Sequence, residues 1–282
     1  MTFEDHISAL FSPLSRVHGT MPDPGAMKKR LKDMAPQKGS KQVSATQEIV
    51  KLYATSSVEM WLRAVHSFLI SSALIKVSPL WASVSGYYSS HYVMRAFSHL
   101  LGYYHLHGQH YIVQLQPSGS GFACVYLEAK GLKRKEHSFY WVQVKAHPVF
   151  SNNELFTENP ENVEHRESKQ SDCAHRNYAN YIDHLMGFPR FSPLNYEELK
   201  QRVDFLSKIE VIAYPIPDVT KYADIDSVQI VAYHRIVEYR EILNRVLGDR
   251  NKFWSVHRNP DWTRGILTFQ RPKPRLLVIG TE

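Results

Sequence analysis

A chain of 282 residues that is 43% hydrophobic can bury a substantial core, and its length suits one elaborated domain or two small ones; we read one. A formal net charge of +7 points to polyanionic partners. No apolar run reaches the ~18 residues of a membrane-spanning helix, since residues 65–77 are interrupted by His66, Ser67, Ser71, Ser72 and Lys76. The chain starts Met1-Thr2-Phe3-Glu4-Asp5-His6, without the basic head and apolar stretch of a signal peptide. Cys124 and Cys173 are its cysteines and neither lies in a CxxC context, which argues against a disulfide framework or a cysteine zinc site and predicts a reducing, cytoplasmic setting.

In chain order, Phe3, Ile7, Leu10 and Phe11 have the spacing of a short amphipathic helix that docks on the body or on a partner. Residues 18–44, with Pro22, Pro24, Pro36, several glycines and the cluster Lys28-Lys29-Arg30, read as a basic linker. Two long helices follow, over residues 46–77 and 79–107. Trp61, Val65, Phe68 and Leu69 form the stripe of the first, and Val93, Phe97, Leu100, Leu101 and Tyr104 that of the second, so the two pack as an antiparallel pair.

The period then changes from 3.6 to 2. Tyr111, Val113 and Leu115, then Phe122, Cys124 and Tyr126, then Phe139 and Trp141, each alternate with their neighbours. These predict an antiparallel β-meander of three strands, with one turn at Pro117-Ser118-Gly119-Ser120-Gly121 and another at the basic stretch containing Lys130, Lys133, Arg134 and Lys135. Residues 151–171 are polar and read as a loop. Asn195 and Glu198 fit a capping box for a helix striped by Leu199, Val203 and Leu206. A further helix spans residues 227–247, with Ile230, Val231, His234, Val237, Ile242 and Val246 on its stripe and Gly248 as its stop. The fold class is mainly α, a helical bundle with an inserted three-stranded meander, α+β overall. Residues 1–45 form the short helix and basic linker, 46–250 the helical domain with its meander at 111–145, and 251–282 a C-terminal extension.

The helix containing Trp61-Leu62-Arg63-Ala64, followed by Gly86-Tyr87-Tyr88-Ser89-Ser90-His91-Tyr92-Val93-Met94-Arg95-Ala96-Phe97, resembles the first helical hairpin of HEPN-type domains. Arg176-Asn177-Tyr178-Ala179-Asn180-Tyr181 is similar to the Arg-Asn-x-Ala-x-Tyr stretch that opens the later helical part of several members. The resemblance covers residues 46–107 and 172–210. It implies a HEPN-like metal-independent ribonuclease effector, often dimeric, of defence or toxin systems. Its catalytic residues would be Arg176, Asn177 and His184, without cofactor. A neutral imidazole can move the proton of a ribose 2′-hydroxyl while a guanidinium holds the scissile phosphate. Seven residues separate Arg176 from His184, one more than the family pattern, and on a continuous helix this sets them two turns apart.

Arg95 and His99 are one helical turn apart and suit a phosphate-binding cleft, so with Lys130, Lys133, Arg134 and Lys135 they are the candidate nucleic-acid contacts. His105, His107 and His110 have no carboxylate or cysteine spaced to complete a metal site, and no metal is expected. There is no P-loop, dinucleotide fingerprint or nucleophile elbow. Tyr140 and Trp141 beside the basic turn either pack on the helices, the commoner fate of such residues, or stand exposed for base stacking. The alternative function is a non-catalytic scaffold, a homodimer or a subunit of a larger complex, that binds RNA, another nucleic acid or an acidic protein through basic surfaces. Neither reading involves a membrane.

Overall fold

A computed structural model of the protein describes residues 1–14, 24–37, 39–74, 78–106, 111–129, 136–157 and 227–247. They hold α1 (Phe3–Phe11), α2 (Pro24–Asp33), β1 (Lys41–Ser44), α3 (Gln47–Leu74), α4 (Pro79–Leu100), β2 (Tyr103–Leu106), β3 (Tyr111–Ser118) and β4 (Gly121–Glu128). After these come α5 (Glu136–Ala146), α6 (Glu154–Thr157) and α7 (Ser227–Leu247). The described chain is mixed α and β, mostly helical, with a four-stranded antiparallel sheet ordered β1-β4-β3-β2. Among the described residues no helix is long and apolar enough to cross a membrane. Two compact units form, the first from the described parts of Met1–Trp61, Met94–Thr157 and 239–247, the second from those of Leu62–Val93 and 227–238.

In the first unit, α1 begins at a reciprocal cap. The Thr2 hydroxyl accepts from the Asp5 amide at 3.1 Å, and the Asp5 carboxylate accepts from the Thr2 amide at 3.0 Å. Ile7, Leu10 and Phe11 are buried, as the spacing predicts. The linker expected over 18–44 instead contains α2 and β1. Pro24 suits the first turn of α2, and Met27 and Leu31, at i and i+4, are wholly buried anchors. Two apolar contacts suffice because the Tyr126 hydroxyl donates to the Leu31 carbonyl at 2.9 Å and ties α2 to β4.

The start of α3 is buried nearly all round, from Ile49 through Val58 except half-buried Lys51, so it is a central helix without a solvent face. Its polar residues are bonded. Thr55 donates back to the Lys51 carbonyl at 2.9 Å, Ser57 donates to the Ala96 carbonyl at 2.8 Å, and Tyr53 donates to the Val113 carbonyl of β3 at 3.1 Å. Ser57 bonding Ala96 and Ser56 bonding His99 set α3 and α4 antiparallel within this unit.

The second helix stops at Leu100 rather than 107. Gly102 takes φ 83°, a left-handed conformation that turns the chain into β2, and its carbonyl accepts from the Leu115 amide at 2.7 Å. A Cβ there would lie 2.6 Å from the Leu115 carbonyl oxygen. Gly102→Ala is therefore expected to lower stability by about 2 kcal/mol or more in urea denaturation, combining φ strain with a backbone clash. Gly119 in the β3–β4 turn has φ 58° but open space, so Gly119→Ala should cost less. Equal effects would refute the role of the clash.

β3 and β4 form the predicted hairpin, with Tyr111, Val113 and Leu115 buried and paired by register to β4, Leu115 opposite Cys124. Burial pushes the Cys124 thiol up to about 12, so it stays an inert core group. The third strand is a correction. Residues 136–146 are α5, whose buried Phe139, Tyr140 and Val144 share a helical face at i, i+1 and i+5. An aromatic and β-branched run has strand propensity, but packing against Arg95, His99 and His105 overrides it. The fourth strand position is taken by β1 and the β3 edge by β2, both outside the predicted meander. In the polar segment after residue 151, α6 is a single turn whose Phe156 is wholly buried.

The second unit shows the same antiparallel pairing. Ser71 donates to the Ala82 carbonyl, and Ser89 to the Ala64 carbonyl at 2.8 Å. Phe68 is buried as predicted, as is Trp61 in the first unit, while Trp81 is 56% exposed. α7 has the predicted bounds and runs from the second unit into the first; Val231 and Ile242 of the predicted stripe are buried, but the buried face is wider than the stripe. Ala232, Arg235, Ile236, Tyr239 and Leu243 are buried at helical spacing, and His234 is exposed. Arg235 donates to the Ser90 hydroxyl at 3.0 Å. The helix expected from Asn195 and the segments beyond 251 lie outside the described residues.

Candidate functional site

Arg176, Asn177 and His184, the expected catalytic residues, lie outside the described residues, as do Lys130, Lys133, Arg134 and Lys135. Arg95 and His99, one turn apart on α4, are described. His99 is fully buried in the first unit. Its Nδ1 is 3.0 Å from the Ser56 hydroxyl, its ring stacks on Tyr104 with centroids 5.3 Å apart, and Tyr140 meets it edge-on at 6.0 Å. Burial, reinforced by the Arg95 charge and only partly opposed by a hydrogen bond to the Ser56 backbone, pushes its pKa down to about 3. A neutral imidazole with no solvent face offers a phosphate no charge. His99 therefore belongs to the core, where it orders α3, α4 and α5.

Arg95 is half-buried, and its guanidinium carbon sits 4.9 Å from the centre of the Tyr140 ring. Among the described residues its Nε finds no hydrogen-bond partner. Tyr140 is buried beneath it and offers no stacking face to a base. Trp141 is half-buried with Lys145 5.8 Å from its ring centre, and His105 is buried in β2 against Phe139. His107 and His110 lie outside the described residues. Among the described residues, no three His, Cys, Asp or Glu side chains converge as metal ligands.

The basic surface that the structure does build is on α2. With Met27 and Leu31 turned into the core, Lys28, Lys29 and Arg30 are exposed on consecutive positions and Lys32 is half-exposed. Arg30 is held by Glu48 at 2.7 Å, with both side chains about half exposed, so that pair adds little stability and mainly fixes the rotamer of Arg30. Lys41 opens the edge strand β1 and is also exposed. Of the acids here, Asp33 ends α2, and Glu128 accepts from the Gly39 amide at 2.8 Å.

Comparison with known proteins adds no family. No family model matches this chain, and neither does any curated protein or solved structure. The reading of the site rests on its own geometry. The α2 surface was visible in sequence as a charge cluster, yet a linker was expected because prolines and glycines flank it. Pro24 as a first-turn residue and the Met27/Leu31 spacing are the signals that identify a helix with one anchored and one basic face.

Proposed function

We propose that this protein is an RNA-binding scaffold subunit that holds the phosphate backbone on the exposed face of α2. One observation carries the reading: Lys28, Lys29 and Arg30 stand on a helix fixed to the body by two wholly buried side chains and by the Tyr126 bond. A basic cluster on a mobile tail loses entropy when it binds, whereas charges on a docked helix are already placed. Homodimerisation or assembly into a larger complex belongs to the same proposal.

Lys28→Glu/Lys29→Glu is expected to weaken binding to single-stranded RNA by about tenfold or more. It should also flatten the slope of log K against log salt by roughly 0.7 for each phosphate that is no longer neutralised. Both residues are exposed, so the thermal midpoint should stay unchanged. Wild-type affinity and salt slope in the variant would remove α2 from the function. The same incubation in EDTA separates the ribonuclease reading of Arg176, Asn177 and His184. RNA recovered intact agrees with a scaffold, whereas fragments that disappear with Arg176→Ala or His184→Ala establish a nuclease.

A further inference from the structure

A cleft of about 390 Å³ opens in the first unit, lined by the start of α1, by β2 and β3, and by the turn that follows α5. Its apolar lining includes Phe3, Leu101, Leu115, Pro148 and Val149. The polar lining is Thr2, His6, Tyr103, Gln114, Gln116 and His147, and no Lys, Arg, Asp or Glu side chain is among the described lining residues. Its volume falls at the small end of the range for small-molecule clefts, and it is open to solvent rather than enclosed.

The polar groups are arranged with direction. Gln116 Nε2 donates to Gln114 Oε1 at 2.6 Å, and Gln114 Nε2 donates to the Tyr103 hydroxyl at 2.9 Å. Among the described residues, this relay leaves the Tyr103 O–H as a donor at one end and the Gln116 carbonyl as an acceptor at the other. His6 Nε2 donates to the Leu100 carbonyl at 3.1 Å, so Nδ1 of the neutral ring is an acceptor. His147 Nδ1 accepts from the Val149 amide at 3.3 Å, so its Nε2–H is a donor. Burial lowers the pKa of both rings, offset only in part at His6 by its hydrogen bond to Leu100, so both are neutral near pH 7. Phe3 and His147, with centroids 5.5 Å apart and ring planes tilted by 50°, each present a π face, and a flat ligand can stack on one of them.

An anion would meet no Lys or Arg side chain here, the cation at hand being the α-ammonium of the 70% exposed Met1, and an acyl chain would leave the relay ends unpaired. A flat, uncharged heterocycle with donors and acceptors along its edge uses the relay ends and one of the π faces. We infer that this cleft binds a nucleobase, its edge on Tyr103 and Gln116 and its face on one of the two tilted rings, Phe3 or His147. The base comes either from a free nucleoside or from an unstacked position in an RNA strand. The inference goes beyond the basic helix, because a nucleoside carries no phosphate.

Adenosine and uridine titrated into the full chain should give saturable shifts of the His6 and His147 imidazole C–H resonances, and ribose 5-phosphate should give none. Tyr103→Phe and Gln116→Leu should each raise the nucleoside Kd roughly 5- to 10-fold, with amide spectra confirming that both variants fold. A short oligoribonucleotide that moves the same two histidines assigns the base to a strand, and shifts from nucleosides alone assign a free metabolite. Lys28→Glu/Lys29→Glu should bind nucleosides with wild-type affinity, so failure of the cleft and failure of the basic helix are read separately. The inference is overturned by any of three results: no saturable shift up to about 10 mM, equal shifts from ribose 5-phosphate, or unchanged affinity in both cleft variants.

Discussion

Phe97→Ala should remove about 3–5 kcal/mol of stability, a large share of the 5–15 kcal/mol that typically separates folded from unfolded chains. Phe97 is wholly buried in the first unit at the centre of an aromatic cluster. Its ring centroid lies 5.1 Å from Phe150, 5.0 Å from Phe156 and 5.4 Å from Tyr239, at steep interplanar angles of 64°, 83° and 76°. Edge-to-face pairs of this kind contribute about 0.5–1.5 kcal/mol each beyond burial, so truncation loses both area and geometry. Phe150 and Phe156 also meet each other at 4.8 Å and would line the resulting cavity.

The effect should be uneven along the chain. α6 has four residues, too few to be helical alone, and its Phe156 is held by Phe97 and Phe150. Hydrogen exchange at α6 should therefore speed up more in Phe97→Ala than exchange in β3 and β4. Phe97→Leu, which keeps most of the volume, should cost less than half as much, and Trp81→Ala, at an exposed site, should stay within about 0.5 kcal/mol of wild type. A urea midpoint for Phe97→Ala within 1 kcal/mol of wild type would show that the cluster is not the core described here.

What could be read from the sequence follows from where a signal was local. α1, the two long helices, the β3–β4 hairpin and the bounds of α7 each announce themselves by periodicity or by a turn glycine inside the element. α5 does not. Phe139, Tyr140, Trp141, Val142 and Val144 suit a strand by propensity, and only the distant partners Arg95, His99 and His105 make the run a helix. α2 is hard to read for a related reason, since it has only two apolar anchors, Met27 and Leu31, and Tyr126, which bonds the Leu31 carbonyl, is 95 positions further on. The stripe of α7 catches the buried Val231 and Ile242 but not Arg235, which is wholly buried although a hydrophobicity pattern assigns it to solvent, and it includes His234, which is exposed. The same limit governs the site. Arg95 and His99 share a turn, as their spacing requires, but spacing does not tell whether that face meets water or Tyr104 and Tyr140. Nothing in the local sequence brings His6 and His147 to one cleft.

His99 should make the protein acid-labile over a defined window. In the unfolded chain it takes a proton near its ordinary value of 6.5, whereas in the fold it does so only at about 3. Between these values the unfolded state binds more protons, so acid favours unfolding. The contribution is whole above pH 6.5 and is lost as pH falls towards 3, at up to about 1.4 kcal/mol per pH unit, or about 3 kcal/mol by pH 4. His99→Gln, which keeps a hydrogen-bonding group near Ser56, should start less stable at pH 7 but decline less steeply, the two urea-midpoint curves converging as pH falls. His6, His66 and His147, whose values are also lowered by burial, are present in both proteins and cancel in the comparison. Arg95→Gln separates the two causes. Burial remains while the adjacent cation is removed, so the His99 imidazole should titrate at a higher pH by NMR than in the wild type, though still below 6.5. Parallel midpoint curves for wild type and His99→Gln would mean that His99 is solvated, and would return Arg95 and His99 to the solvent-facing phosphate cleft that their spacing first suggested.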